Sequence, residues 1–370
     1  MKSFSKSHLF LASLVLLFLL SISCTKKSTN PTLETGSLEV FSFPPSARIF
    51  LDGTDTGKLT PSILNYVPVG KHSVKLALFT YFDTTFTVDI LKGQSARLEI
   101  TLLRRPLPEV QLTSNPGASC NSSWSPDGSK IAFDSYRNGG WHIFSMDSKG
   151  EVYGVNQLTT TLADNHEPDW SPDSLKIAFQ SGGDIWSIDS KGENFGSFQL
   201  TTNPANDLSP AWSPDNLNIA FGSNRVGQAI WVMSSSGEGY GIYPLTDGAQ
   251  PSKDPDWSPD GNLIIYSRFY QNNWDLWAID LREQSFMPFR LTRNPADDFV
   301  PSFSPDGSKI AFFSDRDGDS AIWVADSRGE DYGVVELVSG VEPFKPAWSP
   351  DWSKISFCRQ DQIWVITGLR

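Results

Sequence analysis

Histidine and cysteine are scarce in this 370-residue chain, and their scarcity narrows the chemistry open to it. Four histidines occur, His8, His72, His142 and His166, and no two have the spacing of a metal-ligand pair. Clustered-histidine metal catalysis is therefore not expected, and neither metal nor cofactor is assigned. Three cysteines are too few for a disulfide scaffold. No G-x-S-x-G elbow is present, which argues against a serine hydrolase. Basic residues are also few, 30 against 42 acidic. Nucleic-acid binding, which needs cations to neutralise phosphates, is not expected. Nor does any apolar run reach the roughly 20 residues of a spanning helix.

The longest such run, Leu9–Leu20, has 12 residues and follows Lys2 and Lys6. A basic start, a short apolar core and small residues after it describe a secretory signal peptide over residues 1–23. The sequence Ser21-Ile22-Ser23-Cys24 resembles a bacterial lipobox, although Ser21 stands where Leu is usual. The resemblance implies that Cys24 carries lipid and that the mature chain is anchored in the cell envelope. Thr25 after the cysteine, with no Asp retention signal, points to the outer membrane. Loss of residues 1–23 removes two lysines and leaves a charge of −14. Residues 24–35 are polar and read as a tether.

Residues 36–103 form a first unit. The runs Ser37–Phe43, Arg48–Gly53, His72–Leu78, Thr85–Ile90 and Ala96–Leu102 are short, mostly alternating strands. Turn residues at Pro44-Pro45, Gly53, Pro61, Gly70 and Gly93 separate them. A small antiparallel β-sandwich is expected. The segments FPPSARIFLDG, GKLTPSIL and VPVGKHSVKL resemble the PEGA domain, with Ser46 where that family often has Gly. The resemblance implies an extracytoplasmic spacer or adhesion module without chemistry of its own.

Residues 107–370 repeat. W/F-S-P-D begins at Trp124, Trp170, Trp212, Trp257, Phe303 and Trp348, at intervals of 46, 42, 45, 46 and 45 residues. Each copy is followed by an apolar strand B such as KIAF and a strand C with an Ile/Leu-aromatic pair, and a strand D ends in a Leu-Thr pair, as in FQLT (Phe198–Thr201) and FRLT (Phe289–Thr292). Repeats of this length with four strands each are propeller blades. The sixth repeat stops after strand C, and a spare strand D, Glu109–Thr113, precedes the first repeat. The expected fold is thus all-β: a sandwich followed by a six-bladed β-propeller closed by residues 109–113. The pattern resembles the TolB family of propellers. The family's α/β domain is replaced here by the PEGA-like unit, and the resemblance implies a face that receives a partner segment.

Residues that repeat are expected to be structural. The Trp and Phe rings fill the wedges between blades, and the Asp of each S-P-D caps a turn. SDRDGD (Ser314–Asp319) faintly resembles a calcium loop but lacks its Glu. Function should sit on unrepeated residues in the loops entering strand A. Positions three to five before each Trp or Phe supply Asn121, His166, Glu167, Asp207, Lys253, Asp254, Asp298, Phe299, Phe344 and Lys345 as ligand-binding candidates. The favoured reading is a non-catalytic, envelope-anchored interaction module that binds a protein or peptide at the propeller mouth. The alternative is a glycan-binding or glycan-processing lipoprotein, with Trp141, Trp274, Tyr136 and Tyr270 stacking on sugar. Cys120 and Cys358 fall on one face of neighbouring blades. The strand spacing places them too far apart to bond easily, so a bond and two free thiols both stay open.

The lipobox reading has a direct test. Labelled palmitate should enter the wild-type chain in its host and be absent from Cys24→Ala; equal labelling of both would refute the assignment.

Overall fold

A computed structural model describes residues 34–369 except 161–162, 193–194 and 284. The signal peptide, Cys24 and nearly all of the tether lie outside the described residues. Among the described residues no helix is long and apolar enough to cross a membrane.

The first unit has seven strands: β1 (Thr35–Phe43), β2 (Arg48–Leu51), β3 (Thr54–Leu59), β4 (Ser62–Pro68), β5 (Gly70–Ala77), β6 (Thr84–Ile90) and β7 (Ser95–Thr101). They form two sheets, β4-β1-β7 and β3-β2-β5-β6. Alternate residues Leu38, Val40, Ile49, Val74 and Leu76 meet between the sheets and are fully buried. Two strands were not expected from sequence. All of β3 lies at or near the surface, so it has no apolar alternation. In β4 the buried residues Leu64 and Val67 are three apart, with left-handed Tyr66 (φ 60°) between them, which breaks the period of two. The sandwich is also mixed rather than antiparallel, because β1 and β7 run parallel.

Six four-stranded sheets follow. The first blade comprises β9 (Ser119–Trp124), β10 (Lys130–Ser135), β11 (His142–Asp147) and β12 (Val155–Gln157). Strands β13–β16 (165–199), β17–β20 (207–244), β21–β24 (252–290) and β25–β28 (298–339) make the second to fifth. The repeated residues explain themselves in the packing. Trp170 of the second blade packs with Ala132 and Ile143 of the first, and Trp212 of the third with Ala178 and Ile185 of the second. In S-P-D the Ser hydroxyl donates to the Asp carboxylate, at 2.6 Å from Ser125 to Asp127 and from Ser304 to Asp306. The same carboxylate accepts a backbone N–H two residues on, from Ser129 at 3.0 Å and Ser308 at 3.1 Å.

The Leu-Thr pair works similarly. Leu158, Leu200 and Leu291 are buried between blades, and the Thr hydroxyl accepts a strand C N–H. Ile143 donates to Thr159 and Ile185 to Thr201, both at 2.9 Å. The fifth blade has Leu337-Val338 instead. There strand D, β28 (Val334–Ser339), runs six residues and pairs Val338 directly with Ile322.

The sixth blade is β29 (Ala347–Trp348), β30 (Lys354–Arg359), β31 (Gln362–Thr367) and, as its outer strand, β8 (Glu109–Gln111). Val110 pairs with Val365, and Thr113 Oγ1 accepts the Ile363 N–H at 2.9 Å. Leu112 joins Ile363 and Val365 in one buried cluster with Trp124 of the first blade.

Cys120 and Cys358 form a disulfide with Cα atoms 5.3 Å apart. The spacing argument, which placed them too far apart, is corrected by an irregularity. Strand A of the other blades has six residues, but β29 has two. The outer half of β30 therefore has no inner neighbour of its own blade. The start of β9 moves into that space, and the Ser119 N–H donates to the Asp361 carbonyl at 2.8 Å. Thiol titration of the denatured, unreduced protein should find neither Cys120 nor Cys358 free. Replacing Cys358 with Ser should lower stability by about 2–4 kcal/mol in a denaturant titration. Unchanged stability would mean the bond does not hold the seam.

Candidate functional site

The strand A pattern builds the site. Five blades have a register irregularity just before the Trp or Phe, for example between His166 and Asp169 opposite β14. The residue three before the ring is left-handed in each: Asn121 (φ 43°), Glu167 (φ 55°), Ser209 (φ 52°), Asp254 (φ 55°) and Val300 (φ 51°). A β-branched residue such as Val300 rarely adopts this conformation. In four of these blades proline follows (Pro168, Pro210, Pro255, Pro301), which suits a bulge because it has no N–H to pair. The extra residue turns its side chain into the central channel.

That channel encloses about 360 Å³. Of the sequence candidates, Asn121, Glu167, Lys253, Asp254, Phe344 and Lys345 line it. His166 lies beside it, 3.3 Å from the buried Asp134 and with its ring 5.0 Å from that of Trp141. Phe299 packs on Phe313 at 4.9 Å, and the Lys253 ammonium lies 5.0 Å from the Phe299 ring and 4.9 Å from Trp274.

The structure places Asp207 and Asp298 elsewhere. Both are fully buried and ion-paired, Asp207 with Arg225 at 2.6 Å and Asp298 with Arg316 at 2.9 Å. The same arginines reach Glu238 and Glu330 and lie over the ring pairs Phe221/Trp231 and Phe312/Trp323. Arg137 repeats the arrangement in the first blade with Glu151. The Ser314–Asp319 segment thus supplies an arginine to an ion pair within the fifth blade.

Sequence reasoning missed Asp169 and Asp256. They stand one residue before the ring, where the blades read Ser, Asp, Ala, Asp, Ser and Ala. That position is as unrepeated as its neighbours, so the same criterion applied there would have found them. Each carboxylate ties one blade to the next: Asp169 accepts the Trp212 N–H and Asp256 the Phe303 N–H, both at 2.8 Å. Lys345 crosses the channel from the sixth blade and donates to Asp256 at 2.6 Å.

The electrostatics follow from this crowding. The Lys345 side chain keeps 29% exposure to the channel. Burial pulls its pKa down, and Asp256 and Asp169 more than restore it, so the ammonium is firmly held. Burial lifts Asp169 to about 6, against the pull of Lys345. Burial and the Asp254 charge raise Glu167. For His166, burial acts downward, but the Asp134 hydrogen bond and charge prevail and raise it. Among the described residues the one cluster with metal-type donors is Cys120, Glu342 and Cys358, whose two sulfurs are bonded to each other.

Because the folded state holds the Asp169 proton more tightly than the unfolded chain, this group's stabilisation is complete below about pH 4 and lost as pH rises through about 6. Asn at this position keeps the Trp212 contact without the titration. The difference in unfolding free energy between Asp169→Asn and wild type should move in the variant's favour by about 1–3 kcal/mol from pH 4 to pH 7. A pH-independent difference would show that Asp169 titrates normally.

Comparison with known proteins agrees with the architecture. Residues 35–106 match the PEGA domain family, and residues 244–367 match the TolB beta propeller domain family. No curated protein matches the chain. Among solved structures, a putative TolB from Agrobacterium tumefaciens is similar over 70% of this chain and 96% of its own, with 21% identity and a TM-score of 0.56. TolB from Acinetobacter baumannii is similar over 81% and 77%, with 16% identity and a TM-score of 0.53. A gluconolactonase from Xanthomonas campestris is similar over 70% and 89%, with 12% identity and a TM-score of 0.55. At these identities the likeness is one of fold. The two family matches, the six closed sheets and the sandwich before them identify the chain as a PEGA domain followed by a TolB-type β-propeller.

Proposed function

We propose that the protein is a non-catalytic interaction module of the cell envelope, anchored through Cys24, that binds an extended segment of a protein partner at the channel mouth. The observation that carries this reading is the ring of five left-handed, unrepeated residues turned into one channel. Backbone strain of this kind, about 1–3 kcal/mol per residue, persists only where the surrounding fold holds it and clusters at functional sites. Polar and apolar surface are both on offer there: Asn121 and Ser209 line the channel with Phe344, and Lys253 stands between Trp274 and Phe299.

The channel carboxylates support binding over catalysis, because each already has partners. Glu167 accepts the Ser209 N–H at 2.7 Å, and Asp254 accepts from Ser209 and Ser267, both at 3.2 Å. Asp169 and Asp256 hold backbone N–H groups of neighbouring blades. Coplanar exposed rings beside carboxylates would favour the glycan alternative. The Tyr136–Trp141 planes meet at 60°, Phe269–Trp274 at 62° and Tyr270–Trp277 at 74°, which favours a peptide.

A photo-crosslinking residue at Phe344 tests the proposal in intact cells. It should capture a defined envelope polypeptide, whereas the same residue at Leu175, in the exposed turn after strand A at the other end of the channel, should not. Identical adducts from both positions, or none from Phe344, would overturn the reading. Adducts with polysaccharide alone would favour the glycan alternative.

A further inference from the structure

The seam between the two domains contains a second cavity, of about 320 Å³, unconnected with the channel residues. One wall comes from the PEGA domain, with Arg48, Phe50, Leu59, Leu78 and Phe79. The other comes from the fifth blade, with Lys309, Val324, Asp326, Tyr332 and Val335, and Arg105 of the connecting segment closes the end.

Three features set this cavity apart from an ordinary hydrated seam. First, the Arg105 backbone is fixed by its N–H to the Thr80 carbonyl at 2.8 Å, yet its side-chain Nε is buried with no acceptor among the described residues. A buried donor left unpaired costs about 1–3 kcal/mol, more when charged, so native structures pair nearly all of them. Second, the local charge is inverted. The cavity presents Arg48, Arg105 and Lys309 in a protein whose mature charge is strongly negative. Its acids are already engaged: Asp326 takes a two-pronged contact from Arg328 at 2.7 and 3.1 Å, and Asp83 pairs with Lys75 at 3.3 Å. Arg48 is paired at longer range with Asp55 at 3.5 Å and Asp326 at 3.9 Å, and Lys309 with Asp326 at 3.5 Å, so Arg105 is the lining cation with an unmet donor. Third, the remaining walls are apolar.

We infer that this interdomain cavity binds a small amphipathic anion, with a carboxylate or phosphate head paired to Arg105 and an apolar body against Leu59, Leu78, Phe79 and Val335. Guanidinium is suited to this role because its planar fork matches both head groups. The volume fits a body of moderate length, and a ligand bridging both walls would bind only when the domains are docked. Binding therefore couples to the domain arrangement by mass action.

Calorimetric titration of the mature chain with octanoate, octyl phosphate and octanol tests this. At least one of the two anions should bind saturably, and octanol at least tenfold more weakly. Arg105→Gln should weaken the anion at least tenfold while leaving octanol unchanged. Leu59→Trp, which fills the cavity from the surface strand β3, should abolish binding of the anion even if Arg105→Gln fails to fold. The inference is overturned if octanol binds as well as the anions, if neither anion binds, or if Leu59→Trp binds like wild type.

Discussion

Closure of the ring by a borrowed strand is the constraint on which the propeller depends. Every wedge contact between blades assumes a neighbour on each side, and a linear array would leave two sheet edges unpaired. Here β8 supplies the last strand of the last sheet, and Leu112, just after it, packs against the first blade's Trp124 as well as against Ile363. The closing strand thus seals both a sheet and a wedge. Its counterpart at the inner end is the truncated β29, which admits β9 and brings Cys120 to Cys358. The same truncation bears on the channel. Lys345 precedes so short a strand that it is not held in the left-handed bulge of the other blades. It reaches across to Asp256 instead. One irregular strand therefore accounts for both the staple at the seam and the cation across the channel.

The acidic residues divide into two populations that composition cannot separate. Asp207 and Asp298 are sealed within their own blades by arginines that lie over aromatic rings. Glu167, Asp169, Asp254 and Asp256 face the channel, where burial and mutual repulsion make ionisation harder for Glu167 and Asp169. In sequence both populations are acids shortly before a Trp or Phe. Two residues of offset in a strand with a bulge decide which environment each one enters.

That offset marks the limit of what the sequence discloses. The repeat was legible because each W/F-S-P-D copy must satisfy the same turn and fill the same wedge. The ring of positions around the channel was legible for the complementary reason: Asn121, Glu167, Lys253, Asp254, Phe344 and Lys345 do not repeat. The arginine pairing of Asp207 and Asp298 was not, because Arg225 and Arg316 lie 18 residues on, beyond a hairpin. Nor were β3 and β4, whose side chains lack alternation. The disulfide depended on the length of one strand, and the interdomain cavity on contacts between Arg48 or Arg105 and residues more than 200 positions away.

The position of β8 has a mechanical consequence. Only residues 102–108 separate it from the last strand of the PEGA domain. A pull on the N-terminal side of the chain is therefore delivered directly to the strand that closes the propeller. Arg104, whose guanidinium grips the Leu337 carbonyl at 2.6 Å, takes part of the load before it reaches β8. The PEGA domain is thereby tied to the fifth blade ahead of the closing strand, and the blade seam behind it is cross-linked by Cys120 and Cys358.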